Sequence, residues 1–437
     1  MTDRMRLDDD ILRAALTPPE DGADVGLDSA VREAVAGTAQ RRFWWTPFSR
    51  WFGPLGPSRE LRAAGALATL VALLLVVALI AGNRPPPLLG DGSMVHGGPA
   101  RTGEMAGEGP QERAAVAWQA QLPGPLTNTM PALAGGRLFV ADGRGGVTVW
   151  DAATGGGGWM RSLPKPATSP AVANGILVIA AGDGVYGLAT DSGMTRWHVD
   201  SHDPVTSAPA IVGSDVFVGF PDGSIAALEL QSGMERWRTP SIGGAITRAV
   251  SAADGRVYAG ADGGTFVAVR AADGTEAWRA NLGRGRVATS ATRDGFVYVA
   301  SGLDVDAPHA FIALDAATGV ERWRFQAPSS EALYVAAIGP DLAYAVSLDG
   351  NVYALRNGVL AWRYDAGAPI GSVASLSGGL LYVSVSDGRV IALDSTSGEA
   401  RWTVQLQGDA GPGIPSDGRL FVGTALGQLV AIGEAVQ

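Results

Sequence analysis

The chain has 437 residues, 46 % hydrophobic and 17 % charged, with 61 glycines, a composition that supplies a large core and many turns but few long helices. A formal charge of −10, with no Lys/Arg cluster in the repetitive part, argues against a phosphate backbone as partner, so no nucleic acid is expected. With no cysteine, disulfides, thiolate metal sites, covalent c-type haem and a lipidated N-terminal cysteine are excluded.

The first forty residues hold two short helical patterns, 8–16 and 27–37, each opening on aspartates suited to a helix N-terminus. They contain neither His nor Cys, which excludes a zinc-held regulatory domain there. Residues 41–56, "RRFWWTPFSRWFGPLG", mix arginine with Phe43, Trp44, Trp45, Phe48, Trp51 and Phe52, a pairing that suits the headgroup layer of a membrane or a docking surface for a cytoplasmic partner. Residues 63–82 follow, twenty residues without a charge, long enough as a helix to cross a hydrocarbon core of ~30 Å. Arg41, Arg42, Arg50, Arg59 and Arg62 precede them, and only Arg84 and Arg101 lie in the first twenty residues after them. The positive-inside bias therefore predicts a single-pass signal anchor in the cell (inner, cytoplasmic) membrane, with residues 1–62 cytoplasmic and the remainder extracytoplasmic. Residues 83–93, "NRPPPLLGDGS", read as a stiff proline-rich stalk.

Beyond the stalk the sequence repeats. Tryptophan stands at Trp118, Trp159, Trp197, Trp237, Trp278, Trp323, Trp362 and Trp402, spaced by 38 to 45 residues. Between these beats the apolar residues alternate, as in "GRLFVAD", "GRVYAGA" and "GLLYVSV", which is strand periodicity. A first turn (Asn174-Gly175, Asp254-Gly255, Asp294-Gly295, Asp417-Gly418) precedes each run, and a second (Asp142-Gly143, Asp183-Gly184, Asp222-Gly223, Asp262-Gly263, Asp349-Gly350, Asp387-Gly388) follows most of them. Both sets read as two-residue hairpins in which Asp-Gly supplies positive φ. A third turn carries Gly155, Gly193, Gly233, Gly274, Gly319, Gly358 or Gly398, and the tryptophan follows on a fourth strand. Four antiparallel strands per ~40 residues, repeated, predict an all-β fold: an eight-bladed β-propeller of four-stranded blades over residues 94–437.

Copies such as "ALDAATGVERW" (313–323) and "ALDSTSGEARW" (392–402) put an indole at a fixed distance after a tight turn. Each tryptophan is expected to dock on the neighbouring blade, a structural role that buries ~150–250 Å² of aromatic surface per contact. The last unit ends without its tryptophan, whereas "AAVAWQAQL" (114–122) carries one ahead of the first complete unit. The N-terminal segment should therefore supply the outer strand of the eighth blade and close the ring.

The phrase A-x-D-x-x-x-G-x-x-x-W resembles the tryptophan-docking motif of the PQQ-like (pyrroloquinoline-quinone-type) β-propeller repeat family, and "MVHGGPARTGEMAGEGP" (94–110) resembles the strap that leads into many of its members. The family contains quinone-dependent alcohol and sugar dehydrogenases, which the resemblance furnishes with a carboxylate-and-amide calcium site and a catalytic aspartate. It also contains cofactor-free members such as the propeller lipoprotein of the outer-membrane β-barrel assembly machinery, which this chain resembles in blade number and leanness. No residues here match the cofactor ligands, so no cofactor, no metal and no catalytic residue are assigned.

Aligned on their second strands, the blades place Thr129, Thr168, Ser207, Arg248, Ala288, Tyr334, Ser372 and Gly411 at one position near the start of the innermost strand. Arg248 and Tyr334 are the large members and flank blade five, which also carries the one notable insertion, 302–310, with Asp304, Asp306 and His309. These five residues form the candidate binding face. The expected function is a membrane-anchored, non-enzymatic scaffold or sensor that binds proteins or envelope ligands on the extracytoplasmic side. The alternatives are a membrane-bound quinoprotein dehydrogenase and a signalling protein whose residues 1–60 act on a cytoplasmic partner.

Overall fold

The computed structural model describes residues 92–126, 129–165, 167–302, 309–328, 331–371 and 373–435. All of them lie in the unit Pro86–Gln437. The predicted membrane segment at 63–82 falls outside the described residues, and no helix among the described residues is long and apolar enough to cross a membrane.

Eight four-stranded antiparallel sheets make up the described fold. Blades one to seven are continuous in sequence, at 132–162, 171–200, 210–238, 251–281, 291–325, 333–365 and 375–405. Blade eight joins the strands Ile414–Ser416, Arg419–Gly423 and Gln428–Glu434 to Ala114–Gln121, which pairs Trp118 with Ala431. The eight-bladed architecture and its closure by the N-terminal strand are thus as the repeat predicts.

The alternation seen in the sequence is resolved by burial. Middle strands such as Ile176–Ala181 and Gly184–Ala189 are buried along their whole length, whereas the outer strand Glu235–Arg238 has no fully buried residue. The apolar side chains collect into eight clusters, each shared by two adjacent blades. One of them brings Leu133 and Leu138 of blade one against Phe421 and Leu429 of blade eight, so the ring is sealed by the same kind of contact throughout. No single blade has a core of its own; stability is held between neighbours.

The tryptophans bind at these seams. Nε1 of Trp118, Trp159, Trp197, Trp237, Trp278 and Trp362 donates to the backbone carbonyls of Ala152, Thr190, Leu230, Ala271, Ala316 and Ser395 on the next blade. Blade eight has no third turn to offer, and Trp402 donates instead to Pro110, at 2.9 Å. The segment entering the propeller therefore replaces the missing turn at the closure.

The first turns behave as predicted: Asn174, Asp254, Asp294 and Asp417 and the glycines after them all have positive φ. The second turns do not. There the aspartate keeps ordinary φ, and in four of the six its Oδ1 accepts the backbone N–H two residues on: Asp142 from Arg144, Asp222 from Ser224, Asp349 from Asn351 and Asp387 from Arg389. These four are aspartate-capped turns in which the side chain serves as acceptor, and glycine alone carries the positive φ at Gly223, Gly350 and Gly388.

Candidate functional site

Residues 92–109 form a strap that travels around one end of the ring. The carbonyls of Gly92, Ser93, Pro99, Ala100, Thr102 and Gly103 accept the inner-strand N–H groups of Leu133, Val172, Ala252, Thr292, Ile338 and Leu376, in blades one, two, four, five, six and seven. Glu108 O accepts from Gly418 of blade eight. Blade three is met by a side chain: the Arg101 guanidinium donates to Ala208 O at 3.1 Å and Pro209 O at 2.9 Å, and also to Val95 O and Val250 O. The strap thus covers the free edges of the inner strands, which otherwise expose unpaired backbone groups. Gly92 and Ser93, placed in the stalk by the sequence reading, are already buried on the propeller with the strap.

Arg101 is fully buried, and among the described residues its charge is met by carbonyl dipoles; burial lowers its pKa to about 9, so it remains a cation at neutral pH. His96 packs beside it, with Nδ1 3.2 Å from Arg101 O. Burial first, and then the Arg101 charge, pull its pKa down to about 4, which leaves the imidazole neutral. Both residues have positive φ, at 57° and 53°.

His96 and Val95 are the floor of an axial cavity of ≈ 720 Å³. Because the strap binds inner-strand residues just before the first turns, the wall positions near the starts of those strands lie toward the opposite end. Thr129, Thr168, Arg248, Ala288, Tyr334 and Gly411 all line this cavity, as the alignment of the blades predicts. The small hydroxyl members have a structural task, shown by Thr129 Oγ1, which donates to Ala141 O, and by Ser207 Oγ, which accepts from Gly219 N. Ser207 is fully buried, and Ser372 lies outside the described residues.

Of the five candidate residues, the structure brings Arg248 and Tyr334 to one cavity, on either side of Ala288 and Thr289. The Arg248 Nε is buried without a hydrogen-bond partner. His309 is not among the cavity residues; it is buried at the foot of the strand Ala310–Asp315, with Nδ1 unpartnered. Asp304 and Asp306 lie outside the described residues. The sequence reading assigned no role to His96 and Arg101, although it quoted the strap that contains them, nor to Asp409 at the mouth; all three lie in segments without periodicity.

Pyrroloquinoline quinone bears three carboxylates and, in the dehydrogenases, works beside a calcium ion. Among its described lining the cavity offers one guanidinium, Arg248, one carboxylate, Asp409, and no amide side chain or tryptophan. No group of three His, Cys, Asp or Glu side chains among the described residues is placed to hold a metal. These residues do not fit the quinone and its ion.

A family model described as "Outer membrane protein assembly factor BamB" (PQQ_2) matches residues 111–248, 242–376 and 386–435. The chain belongs to this BamB-like PQQ-repeat propeller family. Among curated members with which it aligns, BamB of Burkholderia pseudomallei (strain K96243) is 31 % identical over 177 residues, 36 % of this chain and 42 % of that protein. The serine/threonine-protein kinase AfsK of Streptomyces griseus is 26 % identical over 255 residues, 57 % of this chain and 22 % of that protein. The chain spans less than half the length of the curated relatives it matches. The crystal structure of BamB from Moraxella catarrhalis superimposes with a TM-score of 0.61 at 20 % identity, covering 74 % of this chain and 98 % of that one, a likeness of fold. The proteins this chain is similar to thus include both an assembly factor and an enzyme.

Proposed function

We propose that this chain is a membrane-anchored propeller, displayed on the extracytoplasmic side, that binds proteins or envelope ligands without catalysing a reaction. The observation that carries the reading is the axial cavity: the strap floors it, and its described lining does not supply the charge and ligand set that quinone chemistry requires. Membership of a family described by an assembly factor supports a binding role. The apolar segment 63–82 and the arginines before it support the anchor and its orientation.

Since the chain has no cysteine, single cysteines placed at exposed Ser192 or at Ser58 report topology directly. A membrane-impermeant maleimide applied to intact cells (spheroplasts where an outer envelope intervenes) should label S192C and spare S58C, and photo-crosslinkers at the mouth should trap a discrete extracytoplasmic species. Labelling at S58C, or crosslinks confined to cytoplasmic proteins, would contradict the reading.

The match to AfsK favours a second reading, in which the propeller senses a ligand and residues 1–60 act on a cytoplasmic partner. Deletion of residues 1–40 separates the two: a sensor loses its signal while outer-side binding persists, and a scaffold loses neither.

A further inference from the structure

The cavity mouth is electrically two-sided. Arg248 lies on the segment entering blade four, and Asp409 on the segment entering blade eight, four places around a ring of eight. Successive inner strands are neighbours in space in chain order, so these two residues face one another across the axis. They are the cation and the anion of the described lining apart from the neutral imidazole at the floor, and neither has an ion pair among the described residues. Between them the wall is mostly small side chains and hydroxyls, including Ala249, Ala288, Thr289 and Ala410, with Leu126, Met130 and Val335 as larger apolar members.

An unpaired guanidinium with a buried, unsatisfied Nε is costly unless something accepts its hydrogen bond. A carboxylate does so with two oxygens. On the opposite side a carboxylate calls for an ammonium group. From this we infer that the cavity receives a short zwitterionic peptide of small residues, its free carboxylate on Arg248 and Tyr334 and its free amine at Asp409. A peptide of three residues spans about 10 Å when extended, and the cavity volume falls in the range of small-ligand sites. A ligand with two or three carboxylates gains one partner and meets repulsion from Asp409, so the same pair of charges selects against polyanions.

The inference rests on the reading of the propeller as a binding module and names its ligand class. The test is calorimetric titration of the full chain in detergent with trialanine and tetra-alanine, beside their N-acetylated and C-amidated forms. At least one free peptide should bind with a Kd at or below about 1 mM, and blocking either end should weaken it about tenfold. Arg248→Gln should make acid and amide bind alike; Asp409→Asn should make free and acetylated amine alike. Absence of binding by both free peptides, or blocked peptides that bind the native protein as tightly, would overturn the proposal, as would variants that leave end-group selectivity intact. A failed titration beside intact outer-side crosslinks removes the peptide site and leaves the scaffold; the reverse pattern removes the scaffold and leaves the site.

Discussion

The indole of Trp278 on blade four lies directly over Gly319 of blade five, so close that a Cβ on Gly319 would stand 2.5 Å from ring atom Cε3. Six more glycines of the third turn meet a tryptophan in the same way, from Gly155 under Trp118 to Gly398 under Trp362. The repeated G-x-x-x-W phrase is therefore two halves of two different contacts: each glycine receives the indole of the preceding blade, and each tryptophan passes to the next.

Gly319→Ala should destabilise the fold by about 2 kcal/mol, combining a positive φ of 72° with overpacking of the ring. Gly295 has a φ of 79° with nothing within 4 Å of the added Cβ, so Gly295→Ala isolates the backbone contribution and should cost about 1 kcal/mol. Urea denaturation compares the two. Equal losses would show that the indole contact is without weight.

Trp402 tests the closure. Removing its donor with Trp402→Phe leaves Pro110 O without that bond and should loosen the end of the strap, at a cost of about 1–2 kcal/mol. Trp278→Phe loses the equivalent bond to Ala316 within the ring and should leave the strap untouched. Limited proteolysis between 92 and 110 reads the difference. Equal protection in the two variants would mean that the strap does not depend on the eighth seam.

Arg101 is the anchor of the strap. Arg101→Met keeps the apolar stem but strips three buried carbonyls and one half-buried carbonyl of their donor, and a loss of about 3 kcal/mol is expected despite relief of the buried charge. A denaturation midpoint unchanged from the native protein would show that the relief outweighs the bonds.

His96 gives stability a pH dependence of definite sign. Its pKa falls from 6.5 when unfolded to about 4 when folded, so between these values the unfolded chain binds more protons and stability rises with pH. The contribution, on the order of 3 kcal/mol, is complete above about pH 6.5 and is lost as pH falls toward 4. His96→Asn tolerates the positive φ and should flatten this limb. The carboxylates of Asp315 and Asp394, held near 2 chiefly by Arg322 and Arg401, act on a lower limb, where stability is lost as pH falls from about 4 toward 2. A variant that keeps the native slope between pH 6.5 and 4 would remove His96 from the account.

The blades, their number, the N-terminal closing strand and the docking role of tryptophan were legible in the sequence because each is written as a period, and periodicity survives without coordinates. Arg248 and Tyr334 emerged for the same reason, as exceptions at an otherwise small position. Asp222 and its equivalents misled because Asp-Gly serves two kinds of turn, and only the backbone distinguishes an aspartate at positive φ from one that caps with its carboxylate. The partner of Trp402, the hydrogen bonds of Arg101 and the burial of His96 depend on where an aperiodic strap lies across eight blades. Nothing in local composition records such a path. His309 shows the converse, a suggestive residue beside an insertion whose ring is buried away from the cavity residues.

The central claim is that the cavity belongs to a binding protein and not to a quinone enzyme, and titration of the full chain with pyrroloquinoline quinone and calcium tests it most directly. The account predicts no stoichiometric complex by calorimetry or absorbance and no dye reduction on addition of an alcohol or sugar. A one-to-one complex that reduces the dye would contradict it.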